Sequence, residues 1–364
     1  MTTRRAPRFI DLFAGCGGIT RGLLDAGFRL VGAVENDRAA AATFAANFGE
    51  RHVTFGPVER YVEVPEADVV VGGPPCQGFS GLGKRDSGDP RNRLWRDYAR
   101  VVRATGCMVF VLENVDRFLK SEQMSALVRA TRRGGILEGY EIEGHLLNAA
   151  DYGTAQRRVR AVVIGSRVGP IGAPRPTRGR EGAPGSPTWL TLADVIQGLD
   201  PEPHLLLPEI SSPAWGASVD GPFKLGQIHV ARTYSDTSLA RFKAIPPGGN
   251  RFDLPDELKA ECWRRHTSGA CDVMGRLRWD RPSVTIRTEF FKPEKGRYLH
   301  PDAHRAITHA EAALVQGFDD RHQWCGSKTQ IARQIGNAVP PPLATAIGRQ
   351  IRRVLARGRS FGGR

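Results

Sequence analysis

Apolar and polar positions follow two different rules along this chain. In the first 165 residues, short apolar runs bounded by Gly, Pro or Asp alternate with longer stretches of helical period. Residues 8–13 (Arg-Phe-Ile-Asp-Leu-Phe) read as a strand, 18–26 as a helix closed by Gly27, 30–34 as a second strand, and 38 to about 48 as an Ala-rich helix. Residues 67–71, 107–112 and 159–164 are further apolar runs of strand length. Strands alternating with helices in this way predict parallel strands joined by crossover helices, an α/β fold with helices on both faces of the sheet. From residue 169 to 187 Pro, Gly and Arg replace any period, which reads as a linker or hinge. From Trp189 to about Gly326 the pattern stays irregular, with short apolar runs, many prolines and scattered aromatics. This part is expected to be a second, smaller, mostly β domain. The last segment returns to helical period, with Leu343, Ile347, Ile351 and Val354 on one face and Pro341 or Pro342 in the first turn.

Composition narrows the class. A chain of 364 residues with 40% hydrophobic and 25% charged positions can bury a core in two domains. The formal net charge of +14, from 52 Lys and Arg against 38 Asp and Glu, favours a polyanionic partner, because cationic side chains neutralise phosphates and release counterions. None of the six cysteines forms a Cys-x-x-Cys pair, so a zinc ribbon or dithiol redox site is disfavoured, no metal is expected, and a reducing cytosol is the simplest setting. No apolar run is long enough to span a membrane, and the short basic start leads straight into a strand.

Chemistry gathers at predicted strand ends. The stretch 72–80, Gly-Gly-Pro-Pro-Cys-Gln-Gly-Phe-Ser, sets Cys76 on a proline-stiffened turn directly after a buried strand, a good place for a nucleophile. Asp11-Leu12-Phe13-Ala14-Gly15-Cys16-Gly17-Gly18 is a strand, a Gly-rich turn and a helix start, where the backbone can approach a ligand. Glu35 ends the next strand, suited to accept hydrogen bonds from ribose hydroxyls, although the Gly-x-Gly-x-x-Gly dinucleotide fingerprint is absent. Glu113-Asn114-Val115 follows another apolar strand, and Gln156-Arg157-Arg158-Val159-Arg160 opens the strand after that. Each of these alone is an ordinary turn or a solvated charge run. Together, Phe13, Glu35, Cys76 and Glu113 fall at the carboxyl ends of predicted parallel strands, the edge at which open α/β sheets bind ligands.

The ordered set Asp-Leu-Phe-Ala-Gly-x-Gly-Gly, Pro-Pro-Cys-Gln-x-Phe-Ser, Glu-Asn-Val, Gln-x-Arg-x-Arg and Gln-Ile-Gly-Asn-Ala-Val-Pro-Pro (residues 334–341) resembles the motifs of the cytosine-C5 DNA methyltransferases of bacterial restriction-modification type, over nearly the whole chain. That resemblance implies a Rossmann-like S-adenosylmethionine-dependent sheet built from residues 1–170 and 330–364, with a target-recognition domain and hinge at 171–329. Phe13, Gly15, Gly17, Glu35, Pro75, Leu94 and Asn337 would hold S-adenosylmethionine. Cys76 would add to cytosine C6, Glu113 would serve ring N3, and Arg158 and Arg160 would hold the O2 edge, with Arg158 also favouring the Cys76 thiolate. Gln77, Ser80, Lys84, Arg85 and Arg91, in a Gly- and Arg-rich stretch after the nucleophile, would contact DNA, as would Arg276 and Arg278. One departure stands out: Pro57 occupies the position of the acid that meets the adenine amino group, leaving a backbone group or Glu59 to substitute.

The expected partner is double-stranded DNA with one cytosine flipped out of the stack. A separate cognate restriction endonuclease, a monomeric state and a bacterial cytoplasmic location complete the expectation. The alternatives are a transfer-RNA cytosine-C5 methyltransferase, disfavoured by the long recognition region, and a catalytically silent DNA-binding protein, disfavoured by the intact Cys76, Glu113 and Arg158.

Overall fold

The computed structural model describes residues 5–75, 94–180, 185–265 and 268–361. In chain order these form β1 (Arg8–Leu12), α1 (Gly18–Asp25), β2 (Arg29–Glu35), α2 (Arg38–Phe48), β3 (Val53–Phe55), β4 (Val69–Gly72), α3 (Leu94–Thr105), β5 (Val109–Val115), α4 (Glu122–Ala130), β6 (Glu141–Asn148) and β7 (Val159–Ser166). There follow α5 (Ala193–Ile196), β8 (Ser211–Ala214), β9 (Ala217–Asp220), α6 (Asp236–Ala244), α7 (Glu261–Arg265), α8 (His309–Val315), α9 (Lys328–Asn337) and α10 (Pro341–Phe361), with short 3-10 turns between. The chain divides into two compact units. One holds residues 1–152, 159–177 and 339–364; the other holds 153–158 and 178–338.

The first unit is built on a seven-stranded sheet of order β3-β2-β1-β4-β5-β7-β6. Strands β3, β2, β1, β4 and β5 run parallel, while β7 lies antiparallel between β5 and β6. Phe9, Ile10, Leu12, Val69, Val70, Val109, Phe110 and Leu112 are fully buried, which is why the central strands read as continuous apolar runs rather than alternating ones. Helix α3 is fixed to the sheet by buried Tyr98, whose hydroxyl donates to Val111 O (2.7 Å) on β5 and also lies 3.1 Å from Val70 O on β4. Helix α2 starts at Asp37, whose side chain accepts from Ala40 N.

Helix α10 returns to pack on α1. The approach is close enough to need glycine: a Cβ at Gly22 would stand 2.5 Å from Ala344 Cβ and 2.6 Å from Pro341 O, and one at Gly348 would stand 2.7 Å from Ala26 Cβ. Arg352 donates to Ala26 O (2.6 Å), capping the end of α1.

Three features differ from the expected pattern. The sheet is mixed, because residues 159–164 form an antiparallel strand. Strands β3 and β6 carried no apolar run: β3 is three residues long, and β6 is a sheet edge whose polar side chains meet solvent. In the second unit the only ladder among the described residues is the β8–β9 hairpin, turned through Trp215 and Gly216, both with positive φ. That unit is irregular, as expected, but not mostly β.

Its irregular backbone leaves carbonyls without ladder partners, and buried side chains supply the donors. Arg276, 3% exposed, donates to Ile245 O (2.8 Å), His300 O (2.6 Å) and Ala303 O (3.0 Å), and also to Phe242 O. Arg297 donates to Gly248 O and Gly249 O. Gln156 bridges Gln316 and the Ile286 amide, and Gln316 donates to Ile335 O. Residues 153–158 belong to this unit because Ser283 N donates to Ala155 O (2.8 Å) and Arg157 N to Ser283 O (2.9 Å). The second unit therefore begins earlier than residue 171 and includes α9.

The glycine contacts between α1 and α10 make a test. Gly348→Leu is expected to destabilise the first unit by about 1–3 kcal/mol through overpacking, read as a lower urea midpoint in equilibrium unfolding. Gly226, beside whose Cβ position there is open space, is the control site: Gly226→Ala should leave the midpoint nearly unchanged.

Candidate active site

The winding of the sheet reverses between β1 and β4, and their carboxyl ends lie side by side with Leu12 opposite Gly72. Loops leaving such a reversal point go to opposite faces and leave a crevice. The turn after β1 forms one wall. Phe13 (φ 57°), Gly15 (φ 57°) and Gly17 (φ 85°) all adopt left-handed backbone, costly for the phenylalanine. Ala14 N donates to Val34 O (3.0 Å) and Gly17 N to Ala14 O (2.9 Å), which hold the turn against the end of β2. A side chain at Gly17 would run into the Phe48 ring, so that glycine serves packing. At Gly15 a Cβ would meet nothing within 4 Å; the space above that residue is open.

Glu35 ends β2 beside this turn. Its Oε2 accepts from Gly15 N (2.7 Å), and its Oε1 from Asn36 N (2.8 Å) and Asp37 N (2.6 Å). Three of the roughly four acceptor positions of a carboxylate are thereby filled, and the remaining one lies on Oε2. Burial raises the Glu35 pKa against the lowering effect of those amides. Below the turn, Asp11 is wholly buried, with Oδ2 accepting from Thr20 Oγ1 (2.6 Å) and Oδ1 unpartnered. Burial, with a further push from Glu35, raises Asp11 to about 7 against the Thr20 hydrogen bond. Burial also pushes the Cys16 thiol up to about 12, so the cysteine in this turn is no thiolate at neutral pH.

The other wall comes from β4, β5 and β7. Because β7 is antiparallel to β5 with Val115 opposite Arg160 and Glu113 opposite Val162, Glu113 and Arg160 are diagonal neighbours on one face. Arg160 Nε lies 3.2 Å from Glu113 Oε1, both side chains mostly buried. A Cβ at Gly73 would stand 3.1 Å from Glu113 Oε2, so glycine there leaves room for the carboxylate. Asn114 is turned the other way: its Nδ2 donates to Pro74 O (3.0 Å), and its Oδ1 accepts from Val115 N (2.8 Å). The asparagine thus fixes the Pro74-Pro75 backbone that leads into Cys76.

The sequence-predicted residues separate into groups. Phe13, Gly15, Gly17, Glu35, Glu113 and Arg160 lie at the carboxyl edge of the sheet. Pro75 is exposed just beyond β4, and half-buried Leu94 opens α3. Cys76, Gln77, Ser80, Lys84, Arg85 and Arg91 lie outside the described residues. Pro57 precedes a 3-10 turn in which Glu59 is exposed. Asn337 is the exposed last residue of α9, in the second unit.

Two arginines are more enclosed than the sequence suggested. Arg158 is 2% exposed in the second unit and donates to Ile286 O and Gly336 O, both at 3.0 Å, so these two bonds tie backbone segments together. Arg276 is likewise enclosed by carbonyls and braces the backbone of the second unit. Arg278 is exposed and held by Asp280 through two 2.9 Å hydrogen bonds. Sequence reasoning gave no role to Asn114 or Asp11; the asparagine stood inside a quoted motif, and the acid inside an apolar strand was the visible sign of the other.

The family model for C-5 cytosine-specific DNA methylases matches residues 7–186 and 232–353. This chain belongs to that family. As a C-5 cytosine-specific DNA methylase it is 32% identical over 355 residues to the type II methyltransferase M1.HphI of Haemophilus parahaemolyticus, spanning 94% of this chain and 86% of that protein. It is 30% identical to the type II methyltransferase M.DdeI of Desulfomicrobium norvegicum, over 94% of this chain and 88% of that one. The methylase also shares its fold with a candidate DNA modification methyltransferase encoded within an E. coli prophage, at a TM-score of 0.71 and 24% identity, over 96% of this chain and 100% of that one.

Two outcomes follow for this methylase. Asn114→Ala leaves the Pro74 carbonyl without its donor and is expected to cost about 1–3 kcal/mol of stability, with a lower turnover than the parent enzyme; denaturant unfolding and single-turnover kinetics measure the two. Asp11 carries a raised native pKa, so between pH 4 and 7 the native state binds protons that the unfolded chain releases, and stability falls as pH rises to about 7. Asp11→Asn should flatten that part of the Tm-against-pH curve without levelling it, since Glu35 shifts in the same direction.

Proposed function

We propose that this methylase takes its methyl group from S-adenosylmethionine and places it on C5 of one flipped cytosine within a specific double-stranded DNA sequence, through a covalent bond between Cys76 and cytosine C6. The observation that carries this reading is the Glu113–Arg160 pair at the carboxyl edge of the sheet, beside the Pro74-Pro75 backbone that runs directly into Cys76.

The turn after β1 suits the cofactor. Open space above Gly15 admits a ligand against the backbone, and the acceptor position left on Glu35 can take a ribose hydroxyl. Phe13, in its left-handed conformation, and Gly17 shape the same wall, with Pro75, Leu94 and Asn337 completing the proposed set. When bound, S-adenosylmethionine supplies an electrophilic methyl group on a sulfonium.

The protein's own groups then divide the work. Cytosine C5 is a poor nucleophile until C6 is attacked. The Cys76 thiolate forms a bond to C6, and the C5–C6 electron pair becomes available at C5. Glu113 hydrogen-bonds to or protonates ring N3 as charge develops there, and Arg160 holds the O2 edge while keeping the Glu113 carboxyl in place. After C5 is methylated, loss of its proton and departure of the Cys76 sulfur restore the aromatic ring. A duplex shields C6, so the base must leave the stack. The Gly- and Lys/Arg-rich stretch from Ser80 to Trp95, with Lys84, Arg85 and Arg91, is proposed together with Gln77 to contact the DNA around it. The relatives' names as type II methyltransferases support a role beside a separate restriction endonuclease; a bacterial cytoplasmic location and a monomeric state belong to the same proposal. Among the described residues, no helix is long and apolar enough to cross a membrane.

Bisulfite sequencing of plasmid DNA from cells expressing the protein tests the reading. Protected cytosines in one short recurrent context are expected, and none with Cys76→Ser of unchanged fold; wild-type protection in that variant sinks the nucleophile assignment. DNA affinity should fall linearly on a log–log plot against salt, as phosphate neutralisation requires; a flat response removes the phosphate contacts.

A further inference from the structure

Arg276 is enclosed by backbone carbonyls, so other side chains of the second unit are candidates to read the target sequence. The second unit holds a cavity of about 330 Å³ lined by Arg251, Phe252, Asp256, Lys259, Trp263 and Arg264. Its chemistry is that of a reader rather than of a core defect. Arg251 is 8% exposed, yet its Nε has no partner and only Nη2 is tied down, to Ser268 O at 3.2 Å. Its guanidinium lies 4.6 Å from the centre of the Phe252 ring, and Arg241 stands 5.4 Å from that of Trp263 with its Nε on Leu258 O. Stacked on rings, these cations are preorganised, and less conformational freedom is lost when an acceptor arrives.

The rim carries both kinds of hydrogen-bonding group. Arg264 donates Nε to Asp256 O (3.1 Å), which leaves Nη1 and Nη2 for an outside acceptor. Asp256 has a largely exposed carboxylate, with Oδ1 on Lys259 Nζ (2.8 Å) and Oδ2 left for an outside donor. Lys259 keeps that carboxyl below its usual range, so it is an acceptor at neutral pH. A phosphate would be repelled by a carboxylate in this position. The edge of a base pair would not be, because it offers acceptors and donors together: guanine O6 and N7 suit an arginine, and the cytosine N4 amino group suits an aspartate.

We infer that this cavity and its rim read a G·C base pair of the target duplex in the major groove, with Arg264 donating to guanine and Asp256 accepting from the cytosine amino group. Lys259 holds Asp256 in place, and Arg251, Phe252 and Trp263 wall the site. The inference rests on the reading of the second unit as the part that recognises DNA sequence.

The full-length protein and its Arg264→Ala, Arg264→Lys and Asp256→Asn variants are expressed in cells lacking other cytosine-C5 methylation, and their plasmid DNA is sequenced after bisulfite treatment. The wild-type context should contain a fixed G·C pair besides the target cytosine. Arg264→Ala and Asp256→Asn should both lose at least tenfold of the discrimination at that one position and keep it elsewhere. Arg264→Lys separates the roles, since lysine keeps the charge but not the two-pronged donor: relaxation supports base reading. An unchanged context in all three folded variants overturns the inference, as does a uniform loss of affinity with a salt slope smaller by about one, the mark of a phosphate contact. A wild-type protein that protects no cytosine would instead overturn the proposed function.

Discussion

Parallel strands can be joined only by crossovers, and where the winding reverses, two neighbouring strands send their following loops to opposite faces. That constraint creates the crevice at the ends of β1 and β4, and everything chemical in the first unit is arranged around it. The turn after β1 can bend tightly enough only through left-handed residues at Phe13, Gly15 and Gly17. Glu35 is carried to the same place because β2 is the parallel neighbour of β1, and its carboxylate then gathers the amides of Gly15, Asn36 and Asp37.

The second constraint is the insertion of β7 antiparallel between β5 and β6. In a purely parallel sheet the start of one strand is far from the end of its neighbour. Reversing β7 brings its first residues against the last residues of β5, which is how Arg160 reaches Glu113. Asn114, next to Glu113 and pointing away from it, secures Pro74, so one strand end positions both Glu113 and the backbone that leads into Cys76.

The second unit solves a different problem. With little ladder structure, its backbone carbonyls are satisfied by Arg276, Arg297, Arg158, Gln156 and Gln316. Long cationic side chains are good at this because one planar guanidinium can reach several carbonyls, although each is then lost to the surface. The excess of arginine in the chain therefore serves two ends, internal scaffolding and, by our proposal, recognition of DNA.

The sequence by itself determined the parallel core of the sheet, the turn after β1, the returning C-terminal helix and the residue types at the strand ends. Buried parallel strands and amphipathic helices leave periods that survive in one dimension, and the motif order carried the family. It did not determine β3 or β6, since a three-residue strand and a solvent-facing edge leave no apolar signature. Nor could it say which of Arg158 and Arg160 pairs with Glu113. Two residues apart in an extended segment, they look alike in the sequence; antiparallel pairing with β5 turns Arg160 to Glu113, whereas Arg158 lies in the second unit among carbonyls. The enclosure of Arg276 was hidden for the same reason: burial of a charged side chain depends on which unpaired carbonyls the folded backbone brings around it, and that is decided only in three dimensions.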